Sequence, residues 1–372
     1  MGGCVTKPQT APEPPAPAPP VHATRQMGAS WSKDTLNAAL AEMPAALELA
    51  ESGELGPAQP LPKPLSASRA AEMFEWGFDI WEVPYAELPA LAYCVLTAHP
   101  ELSAPISKID HEKLWRYVCE VAARYHERPF HSFRHAVDVL LATSSLLRLV
   151  QRDHSEALND PIVVAALLVA ALAHDINHPG CMNGFFVATE HPLAAESSAA
   201  VLERHHAALA LALIGRPQLD FLSDLDGGER DRFVGLIKEV VLATDVTTTM
   251  PKAKEFKALV EGGGSPSATQ VVTLLIKAAD ISNPARRLPV YGHWIDGVMS
   301  EFFAQGDAER NSGLPLSMNC DRETVDVNKA QVGFITFLVA PLFAAVFAYA
   351  PALKPITEQL EANRAHFASL AK

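Results

Sequence analysis

From about residue 70 onward, apolar residues recur at intervals of three and four, and no stretch keeps the two-residue alternation of a half-buried strand. This pattern predicts an all-α domain of many helices over residues 70–372, with no internal repeat. Three segments anchor the reading. PFHSFRHAVDVLLATSSLLRL, residues 129–149, predicts a helix with Pro129 near its first turn. PIVVAALLVAALAHDINHPG, residues 161–180, has a body apolar enough to be buried on all sides, with Pro179 and Gly180 closing it. VTLLIKAADISNPARR, residues 272–287, predicts an apolar helix that runs into Asp280 and is stopped by Ser282-Asn283-Pro284. A fourth segment, Val332 to Leu353, is apolar apart from Thr336, and about 20 such residues can cross a bilayer. Pro341 and Pro351 predict that it breaks into shorter pieces, a pair of buried core helices rather than a membrane span.

Before residue 70 the pattern weakens. Residues 1–30 form a tail containing the proline-rich run APEPPAPAPP, which cannot pack a core. Residues 31–69 read as a weak helix followed by the connector PAQPLPKPLS, a linker to the main domain. These 70 residues are too few for an added sensor domain, which needs roughly 100 to 150. Met1-Gly2 with Thr6 fits the pattern for N-myristoylation of Gly2, and Cys4 beside it is a candidate for palmitoylation. One myristoyl chain binds membranes only marginally, so the second acyl group would matter. The expected location is the cytoplasmic side of a membrane through this anchor, and the cytosol otherwise.

Composition narrows the class. The net charge is −13, which argues against nucleic-acid binding, because phosphate contacts need clustered Lys and Arg. The five cysteines, Cys4, Cys94, Cys119, Cys181 and Cys320, are scattered without a CxxC pair, the usage of reduced thiols in a cytosolic protein. The N-terminus lacks the apolar core of a secretory signal. Nothing in the sequence sets an oligomeric state.

The chemistry gathers at helix ends. His131 and His135 stand four apart, so a helix would place both on one face, either as a metal pair or as surface residues. AHDINHPG, residues 173–180, puts His174, Asp175 and His178 behind an apolar wall. A carboxylate at a helix C-terminus opposes the helix dipole, so Asp175 wants a cation or a bond from a histidine. Asp280 repeats the design; Lys277, three residues earlier, could pair with it as an exposed salt bridge worth little. Imidazole with carboxylate suits zinc, and a carboxylate can bridge to a harder ion such as magnesium or manganese.

The ordered motifs FDIW, PFHSFRHAVDV, AHDINHPGCMN, LERHH, LATDVTTT, IKAADISNPAR, EFFAQGDAER, GLPLSMNCDR and QVGFITFLVAPLF resemble the class I cyclic nucleotide phosphodiesterases, which are HD-type metal phosphohydrolases, over roughly residues 75–345. The resemblance implies a compact bundle of about sixteen helices with a two-metal site. It implies a first metal, zinc, on His135, His174, Asp175 and Asp280, with Asp175 bridging to a second ion, magnesium or manganese. A hydroxide bridging the ions would attack the cyclic phosphorus of cAMP or cGMP, and His131 would protonate the ribose 3′-oxygen to give the 5′-monophosphate. His178, Glu203 and Asp245 match positions that orient waters and ligands. Gln331 matches the purine-binding glutamine, with Phe334 stacking on the base, Val298 opposite it and Asn283 near it.

The sequence departs from the family pattern in three places. Phe130 stands where many members carry Tyr, Thr249 stands where a His is usual after Ala-Thr-Asp, and residues 185–200 diverge. Two other functions compete: an HD-type hydrolase of another phosphoester, and a catalytically dead cyclic-nucleotide scaffold. The QVGFI motif beside GLPLSMNCDR speaks against the first, and the complete set of His131, His135, His174, Asp175 and Asp280 against the second.

Overall fold

A computed structural model of the chain describes residues 31–98, 109–154 and 158–371. The tail of residues 1–30, with the candidate acylation sites Gly2 and Cys4, lies outside the described residues. The described residues form fifteen α-helices linked by short 3₁₀ turns, and contain no strand. In chain order the helices are α1 Lys33–Ser52, α2 Ala67–Glu72, α3 Leu88–Thr97, α4 His111–Arg124, α5 Phe133–Asp153, α6 Pro161–Ala173, α7 Asn183–Ala188, α8 Val201–Ile214, α9 Gly227–Ala243, α10 Thr249–Glu261, α11 Ala268–Asp280, α12 Leu288–Asn311, α13 Val327–Phe334, α14 Ala340–Tyr349 and α15 Lys354–Leu370.

The uniformly apolar helix is the axis of the fold. Asp160 caps α6 by accepting from the Ile162 N–H, Pro161 occupies its first turn, and every residue from Ile162 to Ala173 is buried. Helices α5, α9 and α11 pack around it. Its last turn and the C-terminal end of α11 therefore open into the same interior region.

Helix α6 ends earlier than the sequence pattern implies. It stops at Ala173, with His174 as cap, and Pro179-Gly180 lie several residues beyond. The Tyr125 hydroxyl holds the end open: it donates to Leu172 O at 3.1 Å and accepts from the Asp175 N–H at 3.0 Å. A turn then follows in which Asn177 takes φ of 64° and Gly180 φ of 90°. A Cβ on Gly180 would stand 3.0 Å from the Trp31 ring and 3.4 Å from the Glu301 carboxyl carbon, so both conformation and space require glycine there.

Helix α5 also differs from expectation. It begins at Phe133 with Ser132 at the cap position, so Pro129–Ser132 precede it and His131 does not share a helical face with His135.

The stretch expected to break at Pro341 does not break there. Residues Val327–Tyr349 form one helical run, long and apolar enough to cross a membrane by length and composition, with 39% of its most apolar window buried. Proline offers no N–H and its ring crowds the preceding turn. The run absorbs this by widening over Ile335–Val339 into a π-turn, in which the Ala340 N–H bonds to Ile335 O. Pro351 does end the run, in a 3₁₀ turn. Ile335, Val339, Leu342 and Phe343 face the core, while Phe337 is exposed, so the run is a one-sided core helix rather than a fully buried pair.

Residues 31–69, expected as a linker, pack as part of the same body. Leu36, Leu40 and Met43 of α1 join Phe185, Phe186, Val201, Leu202 and Ala308 in a second apolar cluster. The proline-rich connector is tied down as well: the Gly56 N–H donates to Glu120 Oε1 at 2.7 Å, and Trp115 Nε1 donates to Gln59 O at 3.0 Å.

Candidate metal centre

Three buried elements bring His135, His174, Asp175 and Asp280 together. His135 lies in the first turn of α5, His174 and Asp175 at the end of α6, and Asp280 at the end of α11. Asp280 Oδ1 stands 3.2 Å from His135 Nε2 and 3.3 Å from His174 Nε2. Asp175 Oδ2 stands 3.1 Å from His174 Nε2 and 3.6 Å from His135 Nε2. Four ligands about 2.0–2.2 Å from one tetrahedral ion stand about 3.4 Å from each other, which matches this spacing.

The tautomers fit the same role. His174 Nδ1 lies 2.9 Å from the Ala171 carbonyl, which can only accept, so Nδ1 carries the proton and Nε2 offers its lone pair. That buried Nε2 has no hydrogen-bond partner despite two carboxylate oxygens nearby. Such an orphaned lone pair, aimed between two buried carboxylates, suits a cation. His135 is held by rings instead, Phe130 at 4.6 Å and Trp294 at 5.7 Å between centroids.

Electrostatics agree. Burial opposes ionisation of Asp280, but the imidazoles of His135 and His174 beside it lower its pKa to about 2. Burial also opposes ionisation of Asp175, and His174 nonetheless holds it well below the usual carboxylate range. Conversely, burial disfavours protonation of His174, yet Asp175 and Asp280 raise it well above the histidine range. A field that draws a proton so strongly will draw a divalent ion.

Asp175 faces two ways. Its Oδ1 stands 3.6 Å from His206 Nε2, on the side away from the first cluster. His206 gives its Nδ1 proton to Ile176 O at 2.7 Å, so its Nε2 is a second buried lone pair without a partner. Sequence reasoning missed His206, although LERHH contained it; its one signal was a place one turn after Glu203 on α8. His178 lies beside Asp175 and His206 on this outer side. Its Nδ1 accepts from the Gly180 N–H at 3.0 Å, so its other nitrogen carries the proton, and it orients rather than ligates.

His131 is set by a partner the sequence reading left unassigned. Glu301 of α12, buried, accepts the Phe130 and His131 N–H groups on Oε1 at 2.7 and 2.9 Å. Its Oε2 lies 2.5 Å from His131 Nδ1. Nδ1–H is thereby committed to Glu301, and Nε2 is left for the cavity. Gly297, one turn earlier, makes room: a Cβ there would stand 2.4 Å from Pro129 O. Burial lowers the His131 pKa, but Glu301, with Asp175 and Asp280, more than offsets this and the net shift is upward. His178 stacks on His131 with centroids 3.7 Å apart; burial and that neighbour push its own pKa well down. Of the stacked pair, His131 is thus the imidazole that holds an added proton more readily.

The remaining candidates ring the cluster. Asn183 Nδ2 donates to both oxygens of Glu203, whose pKa burial raises to about 6. Asp245 caps a 3₁₀ turn, its Oδ1 accepting from Thr247 N and Oγ1. Lys277 does not form the exposed pair with Asp280. It is buried, and its ammonium donates to Asp245 O, Thr248 Oγ1 and Thr249 Oγ1.

Helix α12 leads from this centre to the expected base pocket. Tyr291, Trp294, Val298 and Glu301 repeat at helical spacing along one face. At the far end the Tyr291 hydroxyl donates to Gln331 Oε1 at 2.6 Å, and Gln331 is buried. Phe334, one turn on in α13, is partly exposed. Asn283 lies just beyond Asp280, and its buried Nδ2 has no partner.

Comparison with known proteins agrees with this arrangement. The 3′5′-cyclic nucleotide phosphodiesterase family matches residues 130–360. The chain is 32% identical over 313 residues to the rat 3′,5′-cyclic-AMP phosphodiesterase 4C, covering 79% of this chain and 58% of that protein. It is 31% identical over 317 residues to isoform F of the Drosophila melanogaster 3′,5′-cyclic-AMP phosphodiesterase, covering 80% of this chain and 47% of that protein. It therefore spans about half the length of the curated relatives it matches. The phosphodiesterase domain of a RhoPDE fusion protein from the choanoflagellate Salpingoeca rosetta superposes with a TM-score of 0.75 at 27% identity, covering 82% of this chain and 98% of that one. With the motifs, the buried His/Asp cluster and this match in agreement, the chain belongs to the 3′,5′-cyclic nucleotide phosphodiesterase family.

Proposed function

We propose that this chain hydrolyses a 3′,5′-cyclic nucleotide, with cAMP preferred to cGMP, to the nucleoside 5′-monophosphate, and that His131 protonates the departing ribose 3′-oxygen. The observation that carries the reading is Asp175, whose two oxygens face separate sets of imidazole nitrogens as a carboxylate shared by two ions would. The inner set of His135, His174, Asp175 and Asp280, two imidazoles and two carboxylates, suits zinc, and the side of Asp175 that faces a single imidazole nitrogen suits magnesium or manganese. Two ions bound there would acidify a water and neutralise charge growing on the phosphoryl oxygens.

The protein's own residues do the rest. Glu301 fixes the His131 ring so that Nε2, not Nδ1, meets the leaving oxygen. Neutral His178 stacks on that ring without competing for its proton. Gln331 offers an amide to the purine edge, Phe334 a ring to its face, Val298 an aliphatic wall and Asn283 an unpaired donor. The preference for cAMP is supported by the names of the relatives. We also infer that acylation at Gly2 and Cys4 holds the chain at the cytoplasmic face of a membrane, supported by the N-terminal pattern alone.

The test is turnover of cAMP and cGMP side by side with added magnesium or manganese, with products resolved by chromatography. Faster release of 5′-AMP is expected; release of a 3′-monophosphate, or no turnover of either nucleotide, contradicts the reading. For the anchor, Gly2→Ala is expected to move the protein into the soluble fraction with hydrolysis intact. Unchanged membrane association in that variant would remove the lipid reading.

A further inference from the structure

Lys277 is a buried ammonium that makes no salt bridge among the described residues; the carboxylates of Asp280, Asp245 and Glu203 act on it from beyond ion-pair distance. It sits one helical turn before Asp280, where a direct pair would be easy to make. Its three protons go instead to one short segment. Nζ donates to Asp245 O at 3.0 Å, Thr248 Oγ1 at 2.7 Å and Thr249 Oγ1 at 3.3 Å. Burying a charge among neutral dipoles is costly, and a well-packed apolar side chain could fill the same volume more cheaply.

Two consequences follow from the placement. First, α11 carries both Asp280 and the ammonium that ties down the turn Asp245–Thr249, so the first cluster and the Asp245 carboxyl are braced by one rigid helix. Because both bonds from Thr247 fall on Asp245 Oδ1, the turn aims that carboxyl as a unit. Second, the three oxygens hold Nζ away from Asp280, which keeps that carboxylate for a metal ion. Thr249 stands at the position where the family pattern usually has His, and the lysine ammonium reaches its hydroxyl.

We propose that Lys277 is a positioning residue for the outer metal ion: it fixes the Asp245–Thr249 turn so that Asp245 is presented toward the ion that Asp175 shares. The inference rests on the two-ion reading of the site. It concerns the outer ion's affinity, not the proton transfers of the reaction.

Mn²⁺ titration of chelator-stripped protein, followed by the EPR signal of free Mn²⁺, tests it. The wild-type chain is expected to take up two ions. Lys277→Met is expected to weaken the second by about tenfold, as loss of a residue orienting a ligand does, and to leave the first unchanged. Lys277→Gln, which keeps two N–H donors, is expected to recover most of the loss. Two ions bound by Lys277→Met with wild-type affinities, or a tighter second ion there, would overturn the proposal. Uptake of only one ion by the wild-type chain would instead overturn the two-ion reading. Should Lys277→Met fail to fold by circular dichroism, Thr248→Val removes the 2.7 Å bond while keeping shape. It is expected to weaken the second ion a few-fold, and unchanged affinity in that variant counts against the proposal.

Discussion

Helix α12 joins two unlike neighbourhoods. At its Glu301 end, each functional side chain is held by two or more partners: Glu301 takes three bonds from Phe130 and His131, and His131 is also stacked on His178. At its Tyr291 end, Gln331 has one tether, and Phe334 and Phe337 stand partly or largely exposed on a helix widened by a π-turn. Under the proposed function, the difference separates chemistry from recognition. Reacting groups need sub-ångström placement, which interior packing supplies. A purine slot needs only a flat wall and one amide, so it can be built on a helix that faces solvent.

Substitutions at the two ends should therefore differ in kind as well as size. Asp280→Ala removes the carboxylate that stands beside both imidazole nitrogens and is expected to cut turnover by about three orders of magnitude or more. Metal content measured on the same preparation should fall with it; full occupancy with normal turnover would refute the assignment.

Glu301→Gln comes next, at about a hundredfold in kcat. Its pH profile is the sharper readout. In the wild type Glu301 raises the His131 pKa, so the protonated donor persists above the ordinary histidine range and is lost as pH rises through the raised value. Without that carboxylate, burial is opposed only by Asp175 and Asp280, and the alkaline limb of kcat should move to lower pH. A limb that stays in place would show that His131 is not the proton donor.

Gly297→Ala tests placement alone. Its added methyl would meet Pro129 O and push the His131 segment outward, with an expected ten- to thirtyfold loss in kcat and little change in KM. At the base end, Gln331→Ala should do the reverse, raising KM about tenfold with kcat within about twofold. If kcat fell as far as KM rose, the two ends would not be separable in the way proposed.

Much of this was legible in the sequence, for a physical reason. Aspartates behind apolar helices have no stable place without a cation or a bond, so Asp175 and Asp280 announced themselves. What lay between elements was not legible. His131 and His135 have helical spacing, yet α5 starts at Phe133 and a carboxylate 170 residues away sets the His131 ring. Lys277 looked like an exposed neighbour of Asp280 because spacing along a helix does not reveal three acceptors on another segment. Pro341 looked like a breaker because the local rule does not include a π-turn that makes room for its ring. His206 gave too weak a signal, since one histidine on a partly apolar helix is ordinary until Asp175 is seen to face it.

The most direct test is the fate of solvent oxygen. The protein, stripped of metal and then reloaded with Mn²⁺, is given cAMP in H₂¹⁸O, and the products are read by mass spectrometry with and without the ion. The expected result is 5′-AMP carrying one ¹⁸O on phosphorus, formed only when metal is present. Equal turnover in the stripped protein, or label in a 3′-monophosphate, would contradict a metal centre built on His135, His174, Asp175 and Asp280.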